Sequence, residues 1–135
     1  YLITSPLLVM AEHPQRLLEC PELAPALPFV RELPVCWDGT RVLEGSRIGE
    51  LAAFARRNGN IWFIAMVNGT DGLKLVSLDL TFTGWRDVVI TELADRADTP
   101  AAFAPGARTA AADVPFIVSL QPCGGYVARV VNAER

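Results

Sequence analysis

The sequence predicts a mostly β fold, an antiparallel β-sandwich with a short helical segment at the N-terminus. From Thr40 onward, apolar residues recur at every second position, which is typical of half-buried strands. Asn58-Gly59, between two apolar runs, indicates a tight β-hairpin. Before this region, prolines recur every few residues and predict short helical turns: Pro21, Pro25, Pro28 and Pro34.

The helical signals are confined to the first 35 residues. Ser5-Pro6 is a good helix start. The serine hydroxyl can cap the helix N-terminus, and proline lacks a backbone N–H that has no partner within the first turn. His13-Pro14 ends this turn, and residues 14–20 can begin a second short helix. We therefore expect residues 1–35 to form a helical end piece and residues 36–135 to form the β domain.

The strands follow from the alternation and from the turn residues that separate them. We expect strands near residues 40–44, 48–57, 60–67, 73–82, 86–95, 114–121 and 125–131. Residues 96–113 are rich in Ala, Asp, Pro, Gly and Thr, and predict the longest loop of the chain.

The hairpin around Asn58-Gly59 is predicted to be apolar on both faces. A two-residue loop at these positions sets four opposing pairs: Phe54 with Phe63, Ala53 with Ile64, Ala55 with Trp62, and Leu51 with Met66. One face can fill the sandwich core, and the other needs a second cover. That cover is the N-terminal helices, another domain or another copy of the chain.

Size and charge limit the classes of partner. The 135 residues suffice for a hydrophobic core, and the net charge is −3 with Lys74 as the single lysine. Without a basic stripe we expect no binding to nucleic acid. No run reaches the about 20 apolar residues of a membrane helix, and the start resembles no signal peptide, so we expect no membrane contact and no targeting signal.

Catalytic and metal-binding patterns are weak. His13 is the single histidine, and the spacing of Cys20, Cys36 and Cys123 fits no zinc motif, so we expect a structural histidine, buried free thiols and no cofactor. Three carboxylates come close together in the sequence: Asp38, Glu44 and Glu50. Glycosidases use such carboxylate pairs, but these residues flank turns, so we expect capping and ion pairs with nearby arginines.

Two further patterns each have a structural and a functional interpretation. Asn68-Gly69-Thr70 fits the N-glycosylation pattern and also a tight turn, which we favour. Aromatic rings of Trp37, Trp62 and Trp85 could stack on sugars, as in a carbohydrate-binding module, or pack in the core or an interface, which we favour.

An ordered set of motifs extends over most of the chain. Residues 34–45 read Pro-x-x-Trp-Asp-x-Thr-Arg-x-Leu-x-Gly, Gly49-Glu50 follows, and residues 55–62 read Ala-Arg-Arg-x-Gly-x-x-Trp. Ser5-Pro6-Leu7 and a Phe-x-x-x-x-Pro run at residues 29–34 precede them, and Gly124-Gly125-Tyr126 closes the set. The order resembles the end of the catalytic barrel and the C-terminal β-domain of glycoside hydrolase family 97, with Gly39 departing from the usual polar residue.

The resemblance implies a parent enzyme with an N-terminal β-sandwich, a central (β/α)₈ barrel and this C-terminal domain. Members are exo-acting, calcium-dependent α-glucosidases or α-galactosidases whose catalytic and calcium-binding carboxylates lie upstream, so no catalytic or metal residue is carried over to this chain. We expect a noncatalytic domain that supports the barrel and oligomerisation, in a periplasmic or extracellular parent, with a carbohydrate-binding module as the alternative.

The apolar residues beyond one core predict a self-association surface. Its expected members come from the helices and one face of the hairpin: Leu7, Leu8, Leu17, Leu18, Leu51, Trp62 and Met66. A closed twofold homodimer is the commonest result of such a patch.

Overall fold

The structure is a computed structural model that describes residues 13–99 and 102–134. Its helical part consists of α1 (Pro14–Glu19), a 3₁₀ helix (Pro21–Ala26) and α2 (Leu27–Arg31). Eight strands follow: β1 (Gly39–Val42), β2 (Leu51–Asn58), β3 (Ile61–Asn68), β4 (Lys74–Leu78), β5 (Asp87–Asp95), β6 (Phe103–Ala111), β7 (Phe116–Leu120) and β8 (Gly125–Asn132). A short 3₁₀ turn, Thr81–Thr83, lies between β4 and β5.

The strands form two antiparallel sheets, which confirms the predicted fold class. One sheet has six strands in the order β1-β2-β3-β8-β5-β6, and the other pairs β4 with β7. Side chains from the inner face of the six-stranded sheet and from the small sheet share one hydrophobic cluster. Its most buried members include Ala55, Ile64, Ile90, Leu120, Ala128 and Val130.

The predicted register of the hairpin is wrong by two residues. β2 ends at Asn58 and β3 begins at Ile61, so the loop is Gly59-Asn60 and Phe54 faces Ala65. Only Gly59, with φ +56°, has positive φ in this loop. That is the pattern of a type II′ turn, in which glycine takes the first loop position. Because the shift is even, each side chain stays on its predicted face.

The predicted loop over residues 96–113 is also wrong. Phe103–Ala111 forms β6, which pairs with β5 along its whole length and forms one edge of the sheet. An edge strand tolerates proline, because the backbone N–H groups on its outer side have no strand partner to lose. Pro105 lies in this edge strand, opposite Leu93. Its alanines, glycine and proline give no alternating pattern, so the sequence alone did not reveal it.

Local hydrogen bonds move several predicted strand ends. β4 ends at Leu78 because the carboxylate of Asp79 accepts a hydrogen bond from the backbone N–H of Thr81 at 2.7 Å, which begins a turn. β2 begins at Leu51, since Gly49 takes a positive φ of +81° just before it. The short helices at residues 14–19 and 27–31 match the expectation of proline-interrupted turns. The predicted helix start at Ser5-Pro6 lies outside the described residues.

None of the helices within the described ranges is both long enough and apolar enough to cross a membrane.

Candidate interaction surface

The outer face of the six-stranded sheet, opposite the small sheet, carries residues that the core does not use. We define it by the side chains of Phe54, Arg56, Phe63, Ala65, Val67, Val127 and Arg129, which pairing places on one side of β2, β3 and β8. Phe63 and Ala65 are buried although they point away from the sandwich core. This face is therefore covered in part by another element of the chain.

Arg56 is the most unusual residue of the outer face, because its side chain is only 5% exposed. Its guanidinium carbon lies 4.5 Å from the ring centroid of Trp37, and its Nε donates a hydrogen bond to Thr40 Oγ1 at 3.2 Å. Burial lowers the pKa of Arg56 below its ordinary value. The same Trp37 ring packs edge-on against Phe63 at 5.4 Å between centroids. Sequence reasoning treated Arg56 as a surface partner for carboxylates; its shared face with Phe54 was the signal for burial.

Asp38, next to Trp37, fixes the end of the β2–β3 hairpin. Its carboxylate accepts a hydrogen bond from the N–H of Gly59 at 2.6 Å, and Asn58 Nδ2 donates one to the carbonyl of Cys36 at 3.0 Å. The Trp-Asp pair thus anchors the segment before β1 to the turn and to the outer face. These contacts give both residues a structural role.

The helical segment, residues 14–31, lies over the other half of the outer face. His13 begins it by accepting a hydrogen bond from the N–H of Gln15, a capping role that matches a structural histidine. Phe29 of α2 is buried, while Glu32 Oε2 lies 2.7 Å from Arg129 Nε on β8. The two groups form an ion pair in which Nε donates no hydrogen bond.

Two apolar grooves remain open on the outer face. The first, of about 480 Å³, runs beside the helical segment and is lined by Phe29, Val30, Ala65, Val67, Leu93, Phe103 and Val127 among others. The second, of about 370 Å³, lies near β1 and the β1–β2 loop and is lined by Val42, Ile48, Ala52, Phe54 and Val67 among others. Val67 lines both grooves and is 42% exposed. The helical segment therefore leaves a continuous apolar strip open.

The Gly124-Gly125-Tyr126 motif has a steric explanation at the edge of this strip. The carboxylate of Asp95 accepts a hydrogen bond from the N–H of Gly125, and a Cβ at Gly124 would come within 2.0 Å of Asp95 Oδ2. A Cβ at Gly125 would lie 3.1 Å from the carbonyl oxygen of Met66. Both positions favour glycine, because a side chain at Gly124 would displace the Asp95 carboxylate and one at Gly125 would lie tightly against the Met66 carbonyl.

Tyr126 points to the opposite side, into the sandwich. Its hydroxyl donates a hydrogen bond to Glu92 Oε2, which also pairs with Arg108 Nη2 at 2.9 Å. The guanidinium of Arg108 stacks on the ring of Phe116 at 3.7 Å. Burial, with the adjoining Glu92 carboxylate as the second cause, raises the pKa of Tyr126 far above its ordinary value. The group joins β5, β6, β7 and β8 at one end of the core.

The residues predicted to form a self-association surface are spread over several environments. Leu51 and Met66 are buried in the sandwich core, and Trp62 packs edge-on against Phe82 at 5.0 Å beside it. Leu18 in α1 is 55% exposed. Leu7 and Leu8 lie outside the described residues, as does the side chain of Leu17. Surface contacts of the β domain must therefore use residues other than Leu51 and Met66.

The carboxylates considered for catalysis do not converge. Asp38 precedes β1 and Glu44 follows it, so they lie at opposite ends of that strand. Glu50 pairs with Arg47 at 3.2 Å and with Lys74 at 3.3 Å. Within residues 13–99 and 102–134, no group of three His, Cys, Asp or Glu side chains is arranged to hold a metal ion.

The three tryptophans do not form a shared platform. Trp37 lies over the outer face, whereas Trp62 points inward and Trp85 packs against the core cluster. The larger groove of the outer face does not resemble a sugar site, because Asp95 is the one charged residue of its lining and the Asp95 carboxylate is bonded to Gly125. The arrangement does not favour the alternative of a carbohydrate-binding module.

Two smaller predictions have opposite outcomes. Asn68 is fully buried: its side chain donates to the carbonyls of Gly72 and Gln121 and accepts from Thr70, so the turn interpretation holds and the amide is closed to glycosylation. The three cysteines are free as expected, but the expectation of burial is wrong. Cys36 and Cys123 are exposed and Cys20 is half-buried, because all three lie in turns or at helix ends.

Two curated relatives match parts of the sequence. A retaining α-galactosidase of Bacteroides thetaiotaomicron is 29% identical over 80 residues, which cover 59% of this chain and 11% of that protein. A probable retaining α-galactosidase of Streptomyces bingchenggensis is 46% identical over 54 residues, or 37% of this chain and 8% of that protein. The match thus spans about a tenth of the length of each relative.

Solved structures share the fold. A glycoside hydrolase family 97 enzyme from Pseudoalteromonas sp. strain K8, in complex with acarbose, aligns with a TM-score of 0.75 and 21% identity over 88% of this chain and 19% of its own. A β-arabinopyranosidase aligns with a TM-score of 0.75 and 23% identity over 89% of this chain and 18% of its own. The profile of the family described as "Glycosyl-hydrolase 97 C-terminal, oligomerisation" matches residues 36–131. The chain belongs to this family of glycoside hydrolase C-terminal domains.

Proposed function

We propose that this chain acts as a docking domain without hydrolase activity of its own. It packs the outer face of its six-stranded sheet against the upstream catalytic barrel of one polypeptide, and it associates with further copies of itself. One observation carries the proposal. The outer face has the apolar and buried side chains of a protein interior, but the chain's own helical segment covers only half of it.

The contacts of the outer face support docking in two ways. Its aromatic and aliphatic side chains leave an open apolar strip that runs through Val67. Phe54 lines one groove of this strip and Phe29 lines the other. The helical segment is held on the same face by the Glu32–Arg129 ion pair, so polypeptide preceding residue 14 enters on this side. An upstream domain is therefore the partner nearest to the strip.

The relatives support a proposal for the parent enzyme. Both curated relatives are named as retaining or probable retaining α-galactosidases. In line with the family resemblance, we assign the parent an exo-acting hydrolysis of α-galactosides or α-glucosides, with calcium bound in the catalytic domain and a periplasmic or extracellular location. The residues of this chain would hold neither the calcium nor the scissile bond.

The proposal predicts that hydrolysis and docking can be measured separately, by comparing the 135-residue chain with a longer polypeptide that includes the upstream domain. With aryl α-galactoside and α-glucoside substrates and calcium present, the 135-residue chain should stay at the buffer rate, whereas the longer polypeptide should hydrolyse at least one of them. In the longer polypeptide, Val67→Asp should lower the melting temperature clearly, because a carboxylate would be buried between domains. In the chain alone the same change should have a small effect, since Val67 is partly exposed there.

Val67→Thr is the matched control, because threonine keeps the shape of valine and suits a strand. It should be close to wild type in both proteins. Hydrolysis by the chain alone that disappears in Asp38→Asn or Glu50→Gln would contradict the noncatalytic assignment. Equal effects of Val67→Asp in the two proteins would contradict docking through this face.

A further inference from the structure

The exposed large apolar side chains of the described residues fall into two groups on opposite sides of the sandwich. One group lies on the helical segment, the outer face and their adjoining loops: Leu18, Val30, Val35, Val42, Ile48 and Val67. The other lies on the small sheet and its flanking loops: Leu73, Leu75, Val114 and Ile117, all 57% to 67% exposed. The proposed docking to an upstream domain accounts for the first group and leaves the second unexplained.

The second group lies on one surface because of the strand pairing. In the small sheet Val76 faces Val118 and both point into the core, so the neighbouring positions point to solvent. There Leu75 faces Ser119 and Ser77 faces Ile117. The two apolar residues are thus diagonal neighbours, with the two serines on the other diagonal. Leu73 extends this apolar row beyond β4, next to Leu75.

Charge is confined to one end of this surface, which we call the small-sheet face, where Asp79 and the exposed Asp113 lie. Lys74 points to the other side of β4 and pairs with Glu50 at 3.3 Å. Asp79 lies at one end, where its carboxylate is bonded to the N–H of Thr81. A partner therefore needs no opposite charge, and a second copy of the same face meets no strong repulsion.

Position in the molecule favours a second copy over the upstream domain. The small sheet packs on the inner face, and the helical segment lies on the outer face, so the small-sheet face points away from the side where the preceding polypeptide enters. An upstream domain docked on the outer face leaves this side free.

We infer that the small-sheet face binds the small-sheet face of a second copy, around a twofold axis that runs along the Leu75–Ile117 diagonal. Such an axis places each of these two side chains against its own counterpart, and it places the serines of one copy opposite those of the other. This arrangement is the self-complementarity that a closed dimer requires. The inference rests on the proposed self-association and names its surface.

The face is small, which sets the strength of the dimer. Two strands of five residues cover about 160 Å² at 3.3 Å per residue and 4.8 Å between strands, well below the about 800 Å² per partner of a stable interface. Leu73, Val114 and the adjoining loops enlarge the contact. We therefore expect a reversible dimer whose population depends on concentration.

Sedimentation of the 135-residue chain from micromolar to millimolar concentration tests the inference. The wild type should pass from monomer to dimer. The double variant Leu75→Ser, Ile117→Ser should weaken the dimer by about tenfold or more, because serine already occupies the neighbouring positions of the face and the apolar contact is lost. The control Val42→Ser, Val67→Ser removes exposed valines from the outer face and should leave the dimer unchanged. Circular dichroism checks that every variant is folded.

A second measurement does not depend on variants. Amide hydrogen exchange of the wild type should slow with rising concentration in residues 74–78 and 116–120, and stay constant in residues 51–58. A monomer at all concentrations would overturn self-association and this surface while leaving docking to the upstream domain intact. A dimer that the small-sheet variant does not weaken, or that the outer-face variant dissociates, would overturn the surface alone.

Discussion

The two faces of the six-stranded sheet are both covered, but by different means. The inner face is closed by a second sheet over a mainly aliphatic core, with Ile64, Ile90 and Val130 fully buried. The outer face is covered in two parts: Trp37, in the segment before β1, stacks on Arg56, and the proline-interrupted helical segment adds one buried phenylalanine and a half-exposed ion pair. The inner face thus supplies most of the stability, and the outer face is suited to binding a larger partner.

This difference shows how a small domain can present a second apolar surface that is not part of its own hydrophobic core. Burial of Arg56 and Phe63 requires a cover, which Trp37 supplies, while the helical segment covers only part of the rest of the face. A cover of that kind leaves grooves that another domain can complete. Three changes in the 135-residue chain test the comparison.

The largest effect is expected for Ile64→Ala on the inner face. Removing a fully buried isoleucine side chain from a closed core should reduce the free energy of unfolding by about 2 to 5 kcal/mol, measured by urea denaturation. Ile48→Ala, at a fully exposed isoleucine of the β1–β2 loop, is the matched control and should change it by less than about 0.5 kcal/mol. Similar losses in the two variants would show that the inner face does not dominate stability.

An intermediate effect is expected for Tyr126→Phe, which removes the hydroxyl bonded to Glu92. The loss near pH 7 should be about 1 to 2 kcal/mol, since Glu92 keeps its pairing with Arg108. The pKa of Tyr126 is raised in the folded state, so the folded state holds this proton more tightly than the unfolded state does. Below an ordinary pKa of 10.0 the stabilisation is fully present, and above it the wild type should lose about 1.4 kcal/mol per pH unit.

Urea denaturation between pH 8 and about 12 compares the two proteins. Tyr126→Phe should lack this alkaline slope, and the other tyrosine, Tyr1, cancels because both proteins contain it. Parallel curves for the two proteins would refute the claim that the Tyr126 hydroxyl is held protonated inside the sandwich.

The smallest effect is expected on the outer face, for Glu32→Gln. The ion pair with Arg129 is partly exposed, so its loss should cost at most about 1 kcal/mol, with the wild-type advantage reduced in high salt. Asp98→Asn makes the same charge change in the loop after β5, where Asp98 pairs with Arg96, and controls for net charge. A loss as large as that of Ile64→Ala would mean that the helical segment is as tightly coupled to the fold as the core.

The sequence by itself determined which side of the sheet each residue of the hairpin occupies. Alternation with a period of two does not depend on the exact pairing, so Phe54 and Phe63 lie on the same face although they are not opposite each other. The family motifs were also recognisable from the order and spacing of their residues, and the structure gives Trp37, Asp38, Gly124 and Gly125 specific contacts with residues distant in sequence.

Only the tertiary structure decided the turn type, the edge strand and the surfaces. Asn58-Gly59 and Gly59-Asn60 both satisfy a two-residue loop, and the hydrogen bond from Gly59 to Asp38, distant in sequence, accompanies the second. β6 forms because β5 offers it an edge, not because of its own alanine- and glycine-rich pattern. Whether an apolar residue is core or surface depends on what packs over it: Met66 is buried beneath the small sheet, while Leu75 on that sheet's far side remains exposed.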